Sequence, residues 1–140
     1  MTVVIDTNCL LPMLSLTHPS RVIREEWAKG RFTWAMSTEI LLEYQEIAEP
    51  RIGTGRWKDF LLLLEIGSAL FDNVKLVTPH FHFDQAPADP DDNKFADCAI
   101  TAHAEWVITE DRHFKSMTDS GYKPQPIRPE DFVRQVLGLP

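Results

Sequence analysis

Two short β-branched runs, Val3-Val4-Ile5 near the start of the chain and Trp106-Val107-Ile108-Thr109 far downstream, each end directly on acidic residues. Asp6-Thr7-Asn8 follows the first run and Glu110-Asp111 ends the second. Runs that are apolar throughout, without polar alternation, belong to strands buried on both faces. Such strands need helices packed above and below them. That requirement points to a parallel sheet reached through right-handed helical crossovers. In open parallel sheets, ligands bind beyond the carboxyl ends of the strands. Asp6 and Asp111, distant in sequence, are therefore expected at one edge of the same sheet.

The segments between the two runs supply the crossovers. A helix is expected from a Ser20 cap to about Ala28, with Val22, Ile23 and Trp27 on one face and Gly30 stopping it. Phe32 to Met36 reads as a second strand. Ser37 or Thr38 caps a helix whose apolar face is Ile40, Leu41, Tyr44, Ile47 and Ala48, with Glu39 in the first turn and Pro50 after its end. Trp57 to Phe71 reads as a strongly apolar helix, packed or facing a partner. Val74 to Val77 is a third strand, and Thr78 to Asp91, with three prolines, is a loop. A helix over Asn93 to His103 precedes the Trp106 strand. A short helix over Arg112 to Met117 follows that strand. Then come a last short strand at Pro126-Ile127-Arg128 and a helix opened by Pro129, with Glu130 and Asp131 at its positive end.

The 140 residues fit a single domain spanning 1–140. No apolar run approaches the roughly 20 residues of a membrane-spanning helix, and the first residues lack the basic stretch of a secretory signal. Cys9 and Cys98 lie in apolar segments without metal-type spacing, as reduced, buried thiols do in a cytoplasmic protein. A formal net charge of −7 excludes a protein that coats nucleic acid by charge alone. It leaves room for an enzyme whose carboxylates hold cations.

Three features set these acids apart from ordinary caps and turns. Glu39, Glu43 and Glu46 form an i, i+4, i+7 row, a like-charged stripe that only Arg51, near the helix end, is placed to relieve. Asp89-Pro90-Asp91-Asp92-Asn93-Lys94-Phe95-Ala96-Asp97 holds more carboxylates than one helix cap requires, and Asp97 lies one turn beyond Asn93. Asp92 and Asp111 are separated by one helix and one strand, a spacing that brings a helix start near a strand end. Two carboxylates about 4 Å apart repel by roughly 4 kcal/mol at an effective dielectric near 20. Three or four together would consume a large part of the roughly 5–15 kcal/mol that stabilises a domain. Such a cluster needs protons or divalent cations. An all-oxygen set suits Mg²⁺ or Mn²⁺ and the hydrolysis of phosphodiesters.

Val4-Ile5-Asp6-Thr7-Asn8, Ser37-Thr38-Glu39-Ile40-Leu41-Leu42-Glu43, Asp89-Pro90-Asp91-Asp92-Asn93-Lys94-Phe95 and Val107-Ile108-Thr109-Glu110-Asp111 occur in the order found in PIN domains. They most resemble the branch of VapC-type toxins from toxin–antitoxin pairs. The resemblance covers nearly the whole chain. It implies a three-layer αβα fold with a mainly parallel sheet, and a Mg²⁺- or Mn²⁺-dependent endoribonuclease. It assigns Asp6, Glu43, Asp92 and Asp111 as catalytic, metal-binding acids, with Thr7, Asn8, Asn93 and Thr109 in support. The third acid aligns with Asn93 in the commonest toxin pattern and with Asp92 in the acid-rich motif of this branch; Asp97 is the alternative metal ligand. The resemblance also implies an RNA substrate, a homodimer and a cognate antitoxin protein that blocks the site.

Arg112 and Lys115, directly after Asp111, are candidate phosphate contacts or a solvated helix face. His80 and His82 lie in a proline-bounded loop without further ligands at suitable spacing. Trp27, Trp34, Trp57 and Trp106 fall within elements and read as core. Competing functions are an RNA-processing nuclease without a toxin role, a non-catalytic binding module on the same fold, and a phosphatase with an aspartyl nucleophile. The last usually requires an acid two residues after the first, where this chain has Asn8.

Overall fold

The computed structural model describes residues 1–79, 93–111 and 124–140. Among them, β1 (Thr2–Ile5), β2 (Thr33–Met36), β3 (Val74–Leu76), β4 (Trp106–Ile108) and β5 (Gln125–Ile127) form one sheet in the order β3-β2-β1-β4-β5. Every neighbouring pair is parallel, with Val3 opposite Trp34 on one side and Trp106 on the other. The helices among the described residues are α1 (Thr7–Leu14), α2 (Arg21–Ala28), α3 (Thr38–Ile52), α4 (Thr54–Phe71), α5 (Asn93–Thr101) and α6 (Pro129–Asp131), the last running on into a π-helical turn at Phe132–Val136. The α/β architecture, a parallel sheet flanked by helices, is the one expected. The chain builds outward from β1 to β3, then returns to the other side of β1 for β4. Strand order thus reverses between β1 and β4, where open α/β sheets place their ligands.

The central strands bury Val3, Val4, Ile5, Val107 and Ile108 completely. Trp27, Trp34, Tyr44, Phe60 and Trp57 form a chain of aromatic contacts with ring centroids 5.4–6.1 Å apart. Each contact contributes about 0.5–1.5 kcal/mol beyond its buried area. Trp27, Trp34 and Trp57 are core as expected, and Trp106 is half-buried.

Several local expectations are corrected. Helix α1 has no ordinary sequence signature: it is apolar on most sides and contains Pro12, yet it is buried against α2 and α3. Helix α3 continues through Pro50 to Ile52. Pro50 removes only the bond to the Glu46 carbonyl on an exposed face, where water can replace it. Ile47 on the same helix is exposed, not part of the buried face. Ser20 precedes α2 without capping it through its side chain; its N–H instead donates to His18 Nδ1. Helix α4 begins at Thr54 and buries only one face, through Trp57, Phe60, Leu64 and Gly67. Leu62, Ile66 and Leu70 form an exposed apolar row on it. The expected loop over Thr78 to Asp91 and the short helix over Arg112 to Met117 fall almost entirely outside the described residues. No helix among the described residues is long and apolar enough to cross a membrane.

Gly67 lets α4 approach the tryptophan cluster. A Cβ at this position would stand 2.5 Å from Trp27 Cη2. Gly67→Ala is expected to destabilise the protein, because overpacking of about 1–3 kcal/mol exceeds the roughly 1 kcal/mol that alanine gains in a helix. Gly55→Ala, in the same helix with open space around it, is expected not to. Urea denaturation of the two variants measures the difference.

Candidate active site

The site is assembled at the carboxyl ends of β1 and β4. The Asp6 N–H donates to the Ile108 carbonyl at 2.9 Å, which joins the two strand ends. Asp6 adopts an extended N-cap conformation before α1, and its carboxylate makes no capping hydrogen bond. Asp6 Oδ2 instead accepts from the Thr109 hydroxyl at 2.8 Å. The same hydroxyl oxygen accepts the Asp111 N–H at 2.9 Å. Thr109, 3% exposed, therefore links the acid after β1 to the acid after β4.

Glu43 reaches this edge from α3. The Ser37 side chain caps that helix by accepting the Ile40 N–H at 3.2 Å. The neighbouring Tyr44 is fully buried and donates its hydroxyl hydrogen to the Ile5 carbonyl, one residue before Asp6. This latch carries Glu43 to the strand end. There, Glu43 Oε2 accepts from the Thr7 hydroxyl, and Oε1 pairs with Lys94 Nζ at 2.6 Å. Glu39 and Glu46, the other members of the acidic row, are exposed. The expected relief by Arg51 is corrected: among the described residues it is Lys94, on α5, that pairs with the row's one inward-facing acid.

The electrostatics of Asp6 are set first by its burial and last by its neighbouring acids. Burial raises its pKa above the ordinary 3.8, the Thr109 hydroxyl and the nearby Asn8 N–H oppose the rise, and Asp111 and Glu43 add to it by repulsion. Burial likewise pushes the Cys9 thiol up to about 12, reinforced by Asp6 and Glu110, and the Cys98 thiol up to about 12. Neither forms a thiolate near neutral pH, so cysteine nucleophilic chemistry has no agent here.

The sequence-predicted residues Asp6, Thr7, Glu43, Thr109 and Asp111 come together. Asn8 is exposed beside them and lines a groove of about 740 Å³, along with Cys9, Pro12, Val22, Glu110 and Val133. Asp97, 2% exposed, lines a smaller pocket of about 180 Å³ with Lys94 and the residues that follow β2 and β3. Asn93 opens α5. Asp92, Arg112, Lys115, His80 and His82 lie outside the described residues.

Lys94 was not singled out by its sequence context, although a signal exists. It stands in the first turn of α5, where the helix dipole disfavours a cation. A lysine kept there calls for an acidic partner elsewhere in the fold. Among the described residues, no three acid, histidine or cysteine side chains form a complete metal-ligand set. Asp6 and Asp111 offer hard oxygen donors of the kind Mg²⁺ and Mn²⁺ take, while both oxygens of Glu43 are already engaged by Thr7 and Lys94.

The PIN domain family model matches residues 2–113, a span that includes β1 through β4 and the positions of Asp6, Glu43 and Asp111. A search of curated proteins finds no match.

The raised pKa of Asp6 has a consequence for stability. The folded state binds this proton more tightly than the unfolded state, so the group's contribution falls as pH rises from 3.8 through the raised value and stays unfavourable above it. Asp6→Asn is therefore expected to raise the thermal midpoint of the metal-free protein at neutral pH. The gain should vanish below about pH 4, near the ordinary Asp pKa; differential scanning calorimetry in chelator across that range tests the direction.

Proposed function

Since the chain belongs to the PIN-domain family, whose members are in general metal-dependent nucleases, we propose that it is a Mg²⁺- or Mn²⁺-dependent endoribonuclease and the toxin of a toxin–antitoxin pair. The observation that supports this most is the junction of Asp6 and Asp111 at the switch point of a parallel sheet, with Thr109 holding both. A carboxylate whose pKa is raised by burial first, and further by two neighbouring acids, is an arrangement that a hard cation relieves.

Asp6 and Asp111 would hold the ion. When bound, it supplies charge neutralisation and an activated water for in-line displacement at a phosphodiester. The chain's own residues do the positioning. The Thr109 hydroxyl donates to Asp6 Oδ2, fixing the carboxylate plane and leaving its remaining lone pairs for the ion. The Asp111 N–H, given to Thr109, fixes the turn out of β4. Tyr44 holds α3 against the end of β1. The groove beside Asn8 and Glu110 is mostly apolar, with His18, Arg21 and Arg134 also on its walls. Guanidinium planes over apolar surface suit unstacked bases, which favours single-stranded RNA.

The toxin role and the antitoxin rest on the motif resemblance, and a cytoplasmic location rests on the two free, buried cysteines. A homodimer is supported by the exposed apolar row of Leu62, Ile66 and Leu70. An aspartyl-phosphatase reading has Asn8, an exposed amide, where its second acid belongs.

Purified protein is expected to cleave single-stranded RNA when Mn²⁺ is added and to stop in excess chelator. Thr109→Val, which removes a partner of a metal-holding acid, should lower the rate about 10–100-fold, and Asp6→Asn or Asp111→Asn by more. Cleavage that persists in chelator would overturn the metal-dependent reading. Separately, the absence of a gene for a small DNA-binding protein immediately upstream would count against the toxin role.

A further inference from the structure

His18 is an exposed residue between α1 and α2, yet its main chain and its ring are both held in place. Its N–H donates to the Ser15 hydroxyl oxygen at 3.1 Å. Its carbonyl accepts from the Arg21 N–H at 3.0 Å and from the Arg21 guanidinium, through Nη1, at 3.2 Å. Its ring Nδ1 accepts the Ser20 N–H at 3.0 Å. A ring nitrogen that accepts leaves the proton of the neutral imidazole on Nε2, so the ring offers one donor of fixed identity. Fixing an exposed side chain in this way adds little to a core. It lowers the cost of ordering that side chain on a ligand.

The groove of about 740 Å³ that His18 lines has the size of a small-molecule site. Asn8, two residues after Asp6, and Glu110, one before Asp111, are on its walls, so the groove adjoins the two acids. Among the described residues, Arg21 and Arg134 on the walls are matched by Glu110 and Glu130. Such a surface does not draw in a phosphate; a flat, uncharged group over its apolar walls is the better fit. The Arg21 guanidinium, tethered to the Thr17 and His18 carbonyls, supplies a plane on which a base can stack. Val133 and Arg134 belong to the π-helical turn, a rare geometry that recurs at functional sites.

We propose that this groove is a base-reading subsite: it takes one nucleobase beside the phosphate engaged at Asp6 and Asp111, and the His18 Nε2–H donates to an acceptor on the edge of that base. This rests on the nuclease reading above for the kind of ligand, and adds the residue that sets sequence preference. The fixed Nδ1 makes the preference one for a base with an acceptor at that edge.

Adenosine, guanosine, cytidine and uridine, titrated separately into the full chain in excess chelator and followed by NMR, test the proposal without metal, phosphate or turnover. The methyl signals of Val22, Val133 and Leu139 should shift, and one nucleoside should bind about 2–10-fold more tightly than the weakest, the worth of one hydrogen bond. His18→Ala, a change at an exposed position, should flatten that ranking, and His18→Gln, whose side-chain amide can donate from a similar place, should keep part of it. Groove signals that ignore all four nucleosides, or that respond equally to ribose 5-phosphate, would overturn the inference, as would a ranking unchanged in His18→Ala. Shifts that instead grow with protein concentration would make a second copy the occupant and overturn it too. RNA cleavage in Mn²⁺ without nucleoside binding would remove the subsite and leave the nuclease. Nucleoside binding with the expected ranking but no cleavage would support the subsite and remove the nuclease reading.

Discussion

Two buried acids in this molecule are treated in opposite ways. Glu26, on α2, is 6% exposed and is neutralised by Lys29 at 3.1 Å and Arg31 at 2.9 Å. Asp6 is 3% exposed, and among the described residues it has no such ion pair. Its surroundings are two further carboxylates and a hydroxyl. An acid kept for stability is arranged like Glu26, because removing a carboxylate from water is unfavourable unless opposite charge compensates it. The environment of Asp6 leaves that compensation incomplete. The buried carboxylate at the end of β1, desolvated first and repelled by neighbouring acids second, is the constraint around which the rest of this sheet edge is organised.

The surrounding fold keeps the repelling groups in place. Short, fully buried central strands fix where β1 and β4 end, and the Asp6 N–H bond to Ile108 holds those ends side by side. Tyr44 fastens α3 to the last carbonyl of β1, with Trp34 Nε1 donating to the tyrosine oxygen at 3.4 Å. The aromatic chain from Trp27 to Trp57 lies behind this latch. Its dispersion and burial terms offset an electrostatic penalty localised at one edge. Small residues, Ala96 and Ala99 on α5 and Ala102 just past its end, are all buried and let that helix lie close to the sheet. That closeness brings Lys94 within reach of Glu43.

What the sequence disclosed and what it concealed divide along the range of the interactions. The parallel sheet was legible because Val3-Val4-Ile5 and Val107-Ile108 are β-branched without alternation, a local pattern with a local cause. Asp6 and Asp111 were legible because strand ends mark the ligand edge of such a sheet. Helix α1 was concealed by Pro12 and by apolar residues on most of its sides, which blur the helical period. Pro50 was read as a stop because propensity takes no account of the exposed side on which the missing bond falls. Lys94 and Glu43 are 51 positions apart, and Thr7 and Glu43 are 36 apart. Neither pairing leaves a trace in the residues around it. Only the opposed dipole at Lys94 hinted that an acid was waiting elsewhere.

The acidic character of the whole chain then bears on how a polyanion would be engaged. With a formal charge of −7, long-range attraction does not draw nucleic acid to the surface, and counterion release over many phosphates contributes little. Recognition has to be concentrated where the negative field is locally reversed, at a bound divalent ion; the adjoining groove sets Arg21 and Arg134 beside Glu110 and Glu130 among apolar residues and adds no net positive charge. Both guanidinium groups also have protein partners nearby, Glu25 at 3.6 Å and Asp131 at 3.3 Å. Those exposed pairs are weak enough to exchange for a phosphate or to remain as flat surfaces for a base. On the proposed function, occupancy of a metal site at Asp6 and Asp111 would govern binding as well as chemistry, since without an ion those carboxylates would repel a nucleic-acid strand.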